Sequence, residues 1–165
     1  MHSKLPTALS DWFASRGWVP HTHQLAMLDA ATEGRSALLI APTGGGKTLA
    51  GFLPSLVELT DAYPTPDGLH TLYISPLKAL AVDIHRNLEI PIAEMGLPIR
   101  AETRTGDTPQ AKRQRQRRTP PQMLMTTPES LALLLSYEDA AEIFGRLRCV
   151  IVDELHALEN NKRGD

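Results

Sequence analysis

Ser36-Ala37-Leu38-Leu39-Ile40-Ala41-Pro42-Thr43-Gly44-Gly45-Gly46-Lys47-Thr48 is the stretch on which the fold turns. Residues 36–40 are an apolar run of the length and composition of a buried strand. Residues 49–60 follow with Leu49, Phe52, Leu53, Leu56 and Leu59 at helical spacing. Strand, glycine-rich turn and helix together form the setting of a phosphate-binding loop. Glycines let backbone N–H groups turn inward around a polyphosphate, and the positive end of the following helix favours the same negative charge. In such a loop Lys47 reaches the β- and γ-phosphates and the Thr48 hydroxyl ligates Mg2+. Ala41 stands where the motif usually begins with glycine, a small departure in a tight turn.

Outward from this loop, the rest of the chain reads as alternating strands and helices. On the N-terminal side, residues 6–15 suit a short helix with Pro6 in its first turn, Gly17 past its end, and Leu9, Trp12 and Phe13 on its apolar side. A second helix is expected over 22–33, stopped by Gly34, with Leu25, Leu28 and Ala31 inward and Gln24 near its start. On the C-terminal side, strands are expected over 69–75, 97–102, 122–126 and 147–152. Helices are expected over 77–95, interrupted near Pro91, then over 109–118, 128–135 and 139–144. This alternation argues for an α/β fold with a mainly parallel sheet flanked by helices.

Bulk properties narrow the function. The chain has 165 residues, a formal net charge of −2 and 22% charged residues, so it is not a polycation, and any nucleic-acid contact must come from local patches. One cysteine, Cys149, rules out an intrachain disulfide and a cysteine-built zinc site; its place in a strand suits a small core residue. The N-terminus lacks the apolar segment of a signal peptide, and no apolar run approaches the ~20 residues that span a bilayer. The expectation is a cytoplasmic protein without a membrane partner. Asn160-Asn161-Lys162-Arg163-Gly164-Asp165 closes no element and reads as a cut in mid-domain.

A second motif makes the nucleotide reading specific. The strand at 147–152 delivers Asp153 and Glu154 at its carboxyl end, the edge where ligands of open α/β sheets bind. There Asp153 holds Mg2+ and Glu154 orients or deprotonates a water for γ-phosphate hydrolysis. Read alone, the pair is also the acidic start of a following helix. The strongest local charge is Lys112, Arg113, Arg115, Arg117 and Arg118, which reads either as a solvated helix face or as a nucleic-acid flank.

Ala41–Thr48, Ser75-Pro76-Leu77-Lys78-Ala79-Leu80, Arg104-Thr105-Gly106-Asp107, Thr126-Thr127-Pro128-Glu129-Ser130 and Asp153-Glu154-Leu155-His156 resemble, in this order, motifs I, Ia, Ib, Ic and II of superfamily 2 helicases of the DExH type. The wording of Ile74–Leu80, Val152–Leu158 and Lys162-Arg163-Gly164 is similar to the large helicase-related (Lhr) type, and within it to the bacterial helicases associated with DNA ligase and a nuclease. The resemblance implies a RecA-like P-loop NTPase domain, C-terminally truncated, with adenine-recognition helices at 1–34 and the first RecA-like domain at 35–165. It implies ATP and Mg2+ as cofactors, with Gln24, Ala41, Thr43, Gly44, Gly45, Gly46, Lys47 and Thr48 around the nucleotide and Lys47, Asp153 and Glu154 in the chemistry. Gln24 takes the part of the adenine-reading glutamine, although without the motifs it is a solvated helix residue. Trp18 or Phe13 is placed to stack on the base, with packing the favoured role for Trp12, Phe13 and Trp18.

Ser75, Lys78, Arg104, Thr105, Gly106, Thr126, Thr127 and Glu129 are implied to line a single-strand path, gripping phosphates without reading sequence. Thr127 is equally a helix N-cap, and Ser75 before Pro76 carries a similar ambiguity. His156 couples the nucleotide site to that path in the DExH pattern, while His21, His23 and His156 lack any supporting metal-ligand spacing. The implied activity is a DNA helicase or translocase moving 3′ to 5′ on single-stranded DNA or a 3′-tailed duplex, acting in DNA repair. Two readings stand beside it: a truncated, non-catalytic ATP- or strand-binding module, and an RNA-directed motor of the same superfamily. A further expectation concerns the sheet. In RecA-like sheets another strand separates the phosphate-loop strand from the DExH strand, so without it both have an unpaired edge. The chain alone is then expected to unwind nothing and to hydrolyse ATP poorly.

Overall fold

A computed structural model describes residues 5–41, 46–62 and 64–159. The chain forms two compact units, Met1–Thr65 with Ala93–Leu97, and Pro66–Ile92 with Pro98–Asp165.

The first unit is helical. It contains α1 (Thr7–Ser15), α2 (Thr22–Thr32) and α3 (Lys47–Asp61). Leu9, Trp12 and Phe13 are buried on α1, as the spacing predicts. Gly17, at φ +66°, ends the helix: the N–H of Trp18 donates to Phe13 O and that of Gly17 to Ala14 O. On α2 the inward set differs from the expectation. Leu28 is buried as anticipated, but Ala30 and Gln24 join it, Leu25 is half-buried and Ala31 is exposed. The run is too weakly amphipathic for its apolar residues alone to fix which side turns inward.

The Glu94 carboxylate organises the open end of this unit. Its Oε2 accepts from Trp12 Nε1 at 2.7 Å and its Oε1 from Arg16 at 2.5 Å. The Arg16 guanidinium lies 5.8 Å from the Trp12 ring centre and 5.7 Å from that of Trp18. Trp18 itself is 52% exposed.

The second unit holds the sheet. Among the described residues four strands run in the order β2–β3–β1–β4, all parallel. They are β1 (Thr71–Ile74), β2 (Ala101–Arg104), β3 (Met123–Thr126) and β4 (Cys149–Val152). The helices between them are α4 (Lys78–Glu94), α5 (Gln110–Arg118), α6 (Pro128–Leu135) and α7 (Ala140–Phe144), and α8 (Leu155–Glu159) follows β4. Leu72 on β1 and its register partner Leu124 on β3 pack with Leu69, Leu134 and Ile143 on one face of the sheet. Tyr73 and Met125, the next register pair, are buried on the opposite face, because successive strand residues alternate. Parallel strands covered on both sides explain why β3 is buried at every position.

Three expectations need correction. The run at 36–40 forms no strand among the described residues, and Leu38 and Ile40 are 71% and 87% exposed. An apolar run becomes a strand only when a neighbour accepts its backbone hydrogen bonds, and here none does. Among the described residues β4 borders the sheet, with Val150 and Val152 exposed. Second, α4 is not interrupted at Pro91. Proline removes one helical N–H, but the carbonyl it would have served belongs to Asn87, which is exposed and open to water. Third, the strand expected at 97–102 lies at 101–104, so Arg104 belongs to β2 and not to the loop after it.

Two measurements check this packing. Leu124→Ala should destabilise the protein by about 2–5 kcal/mol in urea unfolding, against less than ~0.5 kcal/mol for Leu133→Ala on the surface. The second is pH dependence. Hydrogen bonds from Arg16 and then Trp12 hold Glu94 below its usual carboxylate value. A depressed folded value means that the contribution is complete above the unfolded value and lost as pH falls through the folded one. Urea midpoints of wild type and Glu94→Gln should therefore converge between about pH 6 and pH 3, and parallel profiles would refute the assignment.

Candidate functional site

The first part of the site is the junction of α2 with the start of α3. Gln24 is 2% exposed and its amide faces two ways. Its Oε1 accepts the His21 backbone N–H at 2.8 Å, and its Nε2 donates to Gly46 O at 3.2 Å. Gly46 takes φ +72°, and a Cβ built on it falls 2.7 Å from Gln24 Nε2 and 3.3 Å from His21 Cδ2. Glycine is thus required at the entry to α3 both by backbone hand and by space. The amide that sequence assigns to adenine thus ties the start of α2 to the start of α3, using one of its N–H groups and one oxygen lone pair among the described residues. Lys47 and Thr48 follow in the first turn of α3, both half-buried. Ala41 is described and half-buried, whereas Pro42, Thr43, Gly44 and Gly45 lie outside the described residues.

The second part is the carboxyl edge of the sheet. Asp153 leaves β4 with its backbone N–H donating to Ile74 O at 3.0 Å, which continues the ladder one step past the strand. Its carboxylate is held at both oxygens: Tyr73 Oη donates to Oδ2 at 2.7 Å, and the Glu154 N–H donates to Oδ1 at 2.9 Å. Burial first, and then the bond to Asp153, raise the Tyr73 phenol well above its usual value, so it stays a donor. Glu154 takes φ +53°, a left-handed conformation costing a side-chain-bearing residue about 1–2 kcal/mol. Its Oε2 lies 3.1 Å from His156 Nε2. Strain of this kind at a strand end concentrates at functional sites.

The donors suit the implied metal. A carboxylate and a hydroxyl are hard oxygen ligands, and Mg2+ is commonly held by one or two carboxylates plus substrate phosphates. Among the described residues no cluster of three or more His, Cys, Asp or Glu could hold a metal by itself.

The strand-contact candidates gather at the same edge of the second unit. Ser75 follows β1, Arg104 ends β2 and Thr126 ends β3, with Thr126 in register with both Ile74 and Arg104. Most are buried and internally engaged. Thr126 Oγ1 donates to Arg104 O at 2.7 Å, Thr127 Oγ1 caps α6 by accepting from Ser130 N at 3.4 Å, and Thr105 Oγ1 accepts from Asp107 N at 3.2 Å. Glu129 sits in the first turn of α6, where its charge suits the helix dipole. The Arg104 guanidinium, only 1% exposed, donates to Arg113 O and Gln116 Oε1. Lys78 is the open one: its ammonium lies 3.5 Å from Asp107 and 3.6 Å from the place a Cβ on Gly106 would occupy. It borders a cleft of about 580 Å3 whose walls include Asp83, Thr103, Thr105, Thr108 and Lys112.

The basic helix α5 resolves into two kinds of charge. Arg115 pairs with Glu102, and Arg117 pairs with Asp139 at 2.9 Å while stacking 3.8 Å from the Tyr137 ring centre. These arginines hold the helix to its neighbours, and Lys112 faces the cleft. Sequence reasoning named Lys112 only as part of the basic run and did not single out Tyr73, which meets Asp153, or Thr108, which lines the cleft. Nothing in the sequence shows that Tyr73 meets Asp153, since that contact depends on the register of β1 against β4.

Comparison with known proteins agrees with this geometry. The family model described as DEAD/DEAH box helicase matches residues 21–165. The chain is 44% identical to the Lhr helicase/probable uracil glycosylase of Mycolicibacterium smegmatis, covering 93% of the chain and 11% of that protein. It is 42% identical to the ATP-dependent helicase Lhr-Core of Methanothermobacter thermautotrophicus, covering 99% of the chain and 20% of that protein. The solved structure of Mycobacterium smegmatis helicase Lhr bound to ssDNA and AMP-PNP superposes with a TM-score of 0.86 at 43% identity, over 97% of this chain and 21% of that one. The helicase MrfA bound to DNA and AMPPNP gives 0.84 at 31% identity, over 96% and 22%. The sheet and its flanking helices are thus those of RecA-like helicase domains. The chain spans roughly a tenth to a fifth of the length of these curated relatives.

A single substitution tests the junction. Gly46→Ala should cost about 1–2 kcal/mol from the left-handed backbone alone. Hydrogen exchange should then show the loss as faster exchange at the first turn of α3, and unchanged exchange there would contradict this tie.

Proposed function

Because the chain belongs to the DEAD/DEAH box helicase family, we propose that it is the first ATP-binding motor domain of a DNA helicase or translocase, coupling ATP hydrolysis to movement on a single strand. The observation that carries this reading is the doubly held Asp153 carboxylate beside the strained Glu154 at the sheet's carboxyl edge. Such an edge is where α/β sheets bind ligands, and a preset carboxylate costs little reorganisation when charge develops.

In this account the phosphates of ATP are held by the loop ending at Gly46, by Lys47 and by the α3 N-terminus, with Gln24 reading adenine through its remaining donor and acceptor. Thr48 and Asp153 would hold Mg2+, whose role is to neutralise charge on the β- and γ-phosphates. Glu154 takes a proton from, or orients, the attacking water, and His156 holds the Glu154 carboxylate in place. Backbone and hydroxyl groups at the ends of β1, β2 and β3, with Lys78 and Lys112 on the cleft they share with Asp83 and Asp107, take strand phosphates. Arg104 serves that path by fixing α5 beneath it.

Support for single-stranded DNA comes from the ligands of the structural relatives, a helicase bound to ssDNA and AMP-PNP and another bound to DNA and AMPPNP. A role in DNA repair beside a ligase and a nuclease rests on the sequence resemblance to that subgroup.

Two substitutions in the protein at its native length separate the roles. Lys47→Ala should weaken binding of a fluorescent ATP analogue at least about tenfold, through loss of a charge-assisted phosphate contact. Glu154→Gln should spare binding and lower single-strand-stimulated turnover about 100-fold or more. Full turnover in Glu154→Gln would refute its assigned part.

A further inference from the structure

We propose that Tyr73 is a positioning residue for Asp153, its hydroxyl fixing the orientation in which the carboxylate receives Mg2+ with ATP. This rests on the nucleotide-site reading above and adds to it a residue outside the helicase motifs.

The sheet register places the two groups together. Thr71–Ile74 of β1 pairs with Cys149–Val152 of β4, so Asp153 comes opposite Ser75, one step beyond the last pair. Strand residues alternate faces, so Tyr73, Ser75 and Asp153 share a face, opposite to that of Leu72 in the core. The phenol crosses to the carboxylate and donates to Oδ2 at 2.7 Å. Tyr73 is 2% exposed, so its hydroxyl has no recourse to bulk water and must be satisfied by protein. A phenylalanine would fill the same space, and the hydroxyl is therefore the part that packing does not require.

What the hydroxyl does to Asp153 follows from the carboxylate's capacity. Two oxygens offer about four lone-pair sites. Tyr73 takes one on Oδ2 and the Glu154 N–H takes one on Oδ1, and together these two bonds fix the tilt of the carboxylate plane. Without the hydroxyl the Oδ2 side loses that hold, and binding must supply more of the ordering. Partners that orient a metal ligand in this way commonly change affinity 10–100-fold.

The test uses Tyr73→Phe in the protein at its native length, with Mg2+ titrated against binding of a fluorescent ATP analogue. The half-saturating Mg2+ concentration should rise about tenfold, while analogue binding in EDTA stays at the wild-type level. Equal EDTA binding is the readout that a folding defect would move. An unchanged Mg2+ midpoint, or equal losses with and without Mg2+, overturns the role of Tyr73. Asp153→Asn run in parallel separates the levels. A shift there with none in Tyr73→Phe rejects only the positioning role. No shift in Asp153→Asn rejects the metal-site reading, and the proposal with it.

Discussion

Parallel pairing of β1 on both its edges is the constraint from which the rest of the second unit follows. Thr71–Ile74 takes β3 on one side and β4 on the other, each in register over the whole strand. Parallel neighbours bring like ends together, so the carboxyl ends of β1, β3 and β4, with β2 beyond, open on one edge. Every motif residue of this unit with chemistry to offer sits at that edge: Ser75, Arg104, Thr126, Asp153 and Glu154. A shift of one residue in β4 would turn Asp153 to the opposite face, away from Tyr73. The leucine pair Leu72 and Leu124, closing the core on the other face, belongs to the β1–β3 side of the same register.

The same economy governs the charges. Residues 112–118 read as a cationic surface, yet much of that charge is spent holding the domain together. Arg115 goes to Glu102, Arg117 to Asp139 and Tyr137, and the buried Arg104 to the backbone and side chains of α5. Burial lowers the Arg104 pKa, but a guanidinium remains charged and its fork of donors can satisfy several acceptors at once. Lys78 and Lys112 instead line the cleft.

Much of this was legible in the chain. Helix ends at Gly17 and Pro128, the strand bearing Asp153 and the capping role of Thr127 followed from local chemistry, because each depends on residues a few positions apart. What depended on distant partners was not legible. The 36–40 run has strand composition but forms no strand among the described residues, α2 turns Ala30 inward in place of Ala31, and Gln24 is drawn under Gly46 because glycine leaves it room. Tyr73 carries no signal in the sequence beyond its place in an apolar strand. Only the register of β1 against β4 gives its hydroxyl a carboxylate.

The central claim is that Asp153, preset by its neighbours, is the metal-bearing carboxylate of an ATP site. A crystal structure of the native-length protein with Mg2+ and a non-hydrolysable ATP analogue addresses it most directly. The account predicts metal density bridging the phosphates to Asp153, directly or through water, with the Tyr73 hydroxyl still on Oδ2. Nucleotide bound with its metal away from Asp153, or a carboxylate turned from Tyr73 on loading, would contradict it.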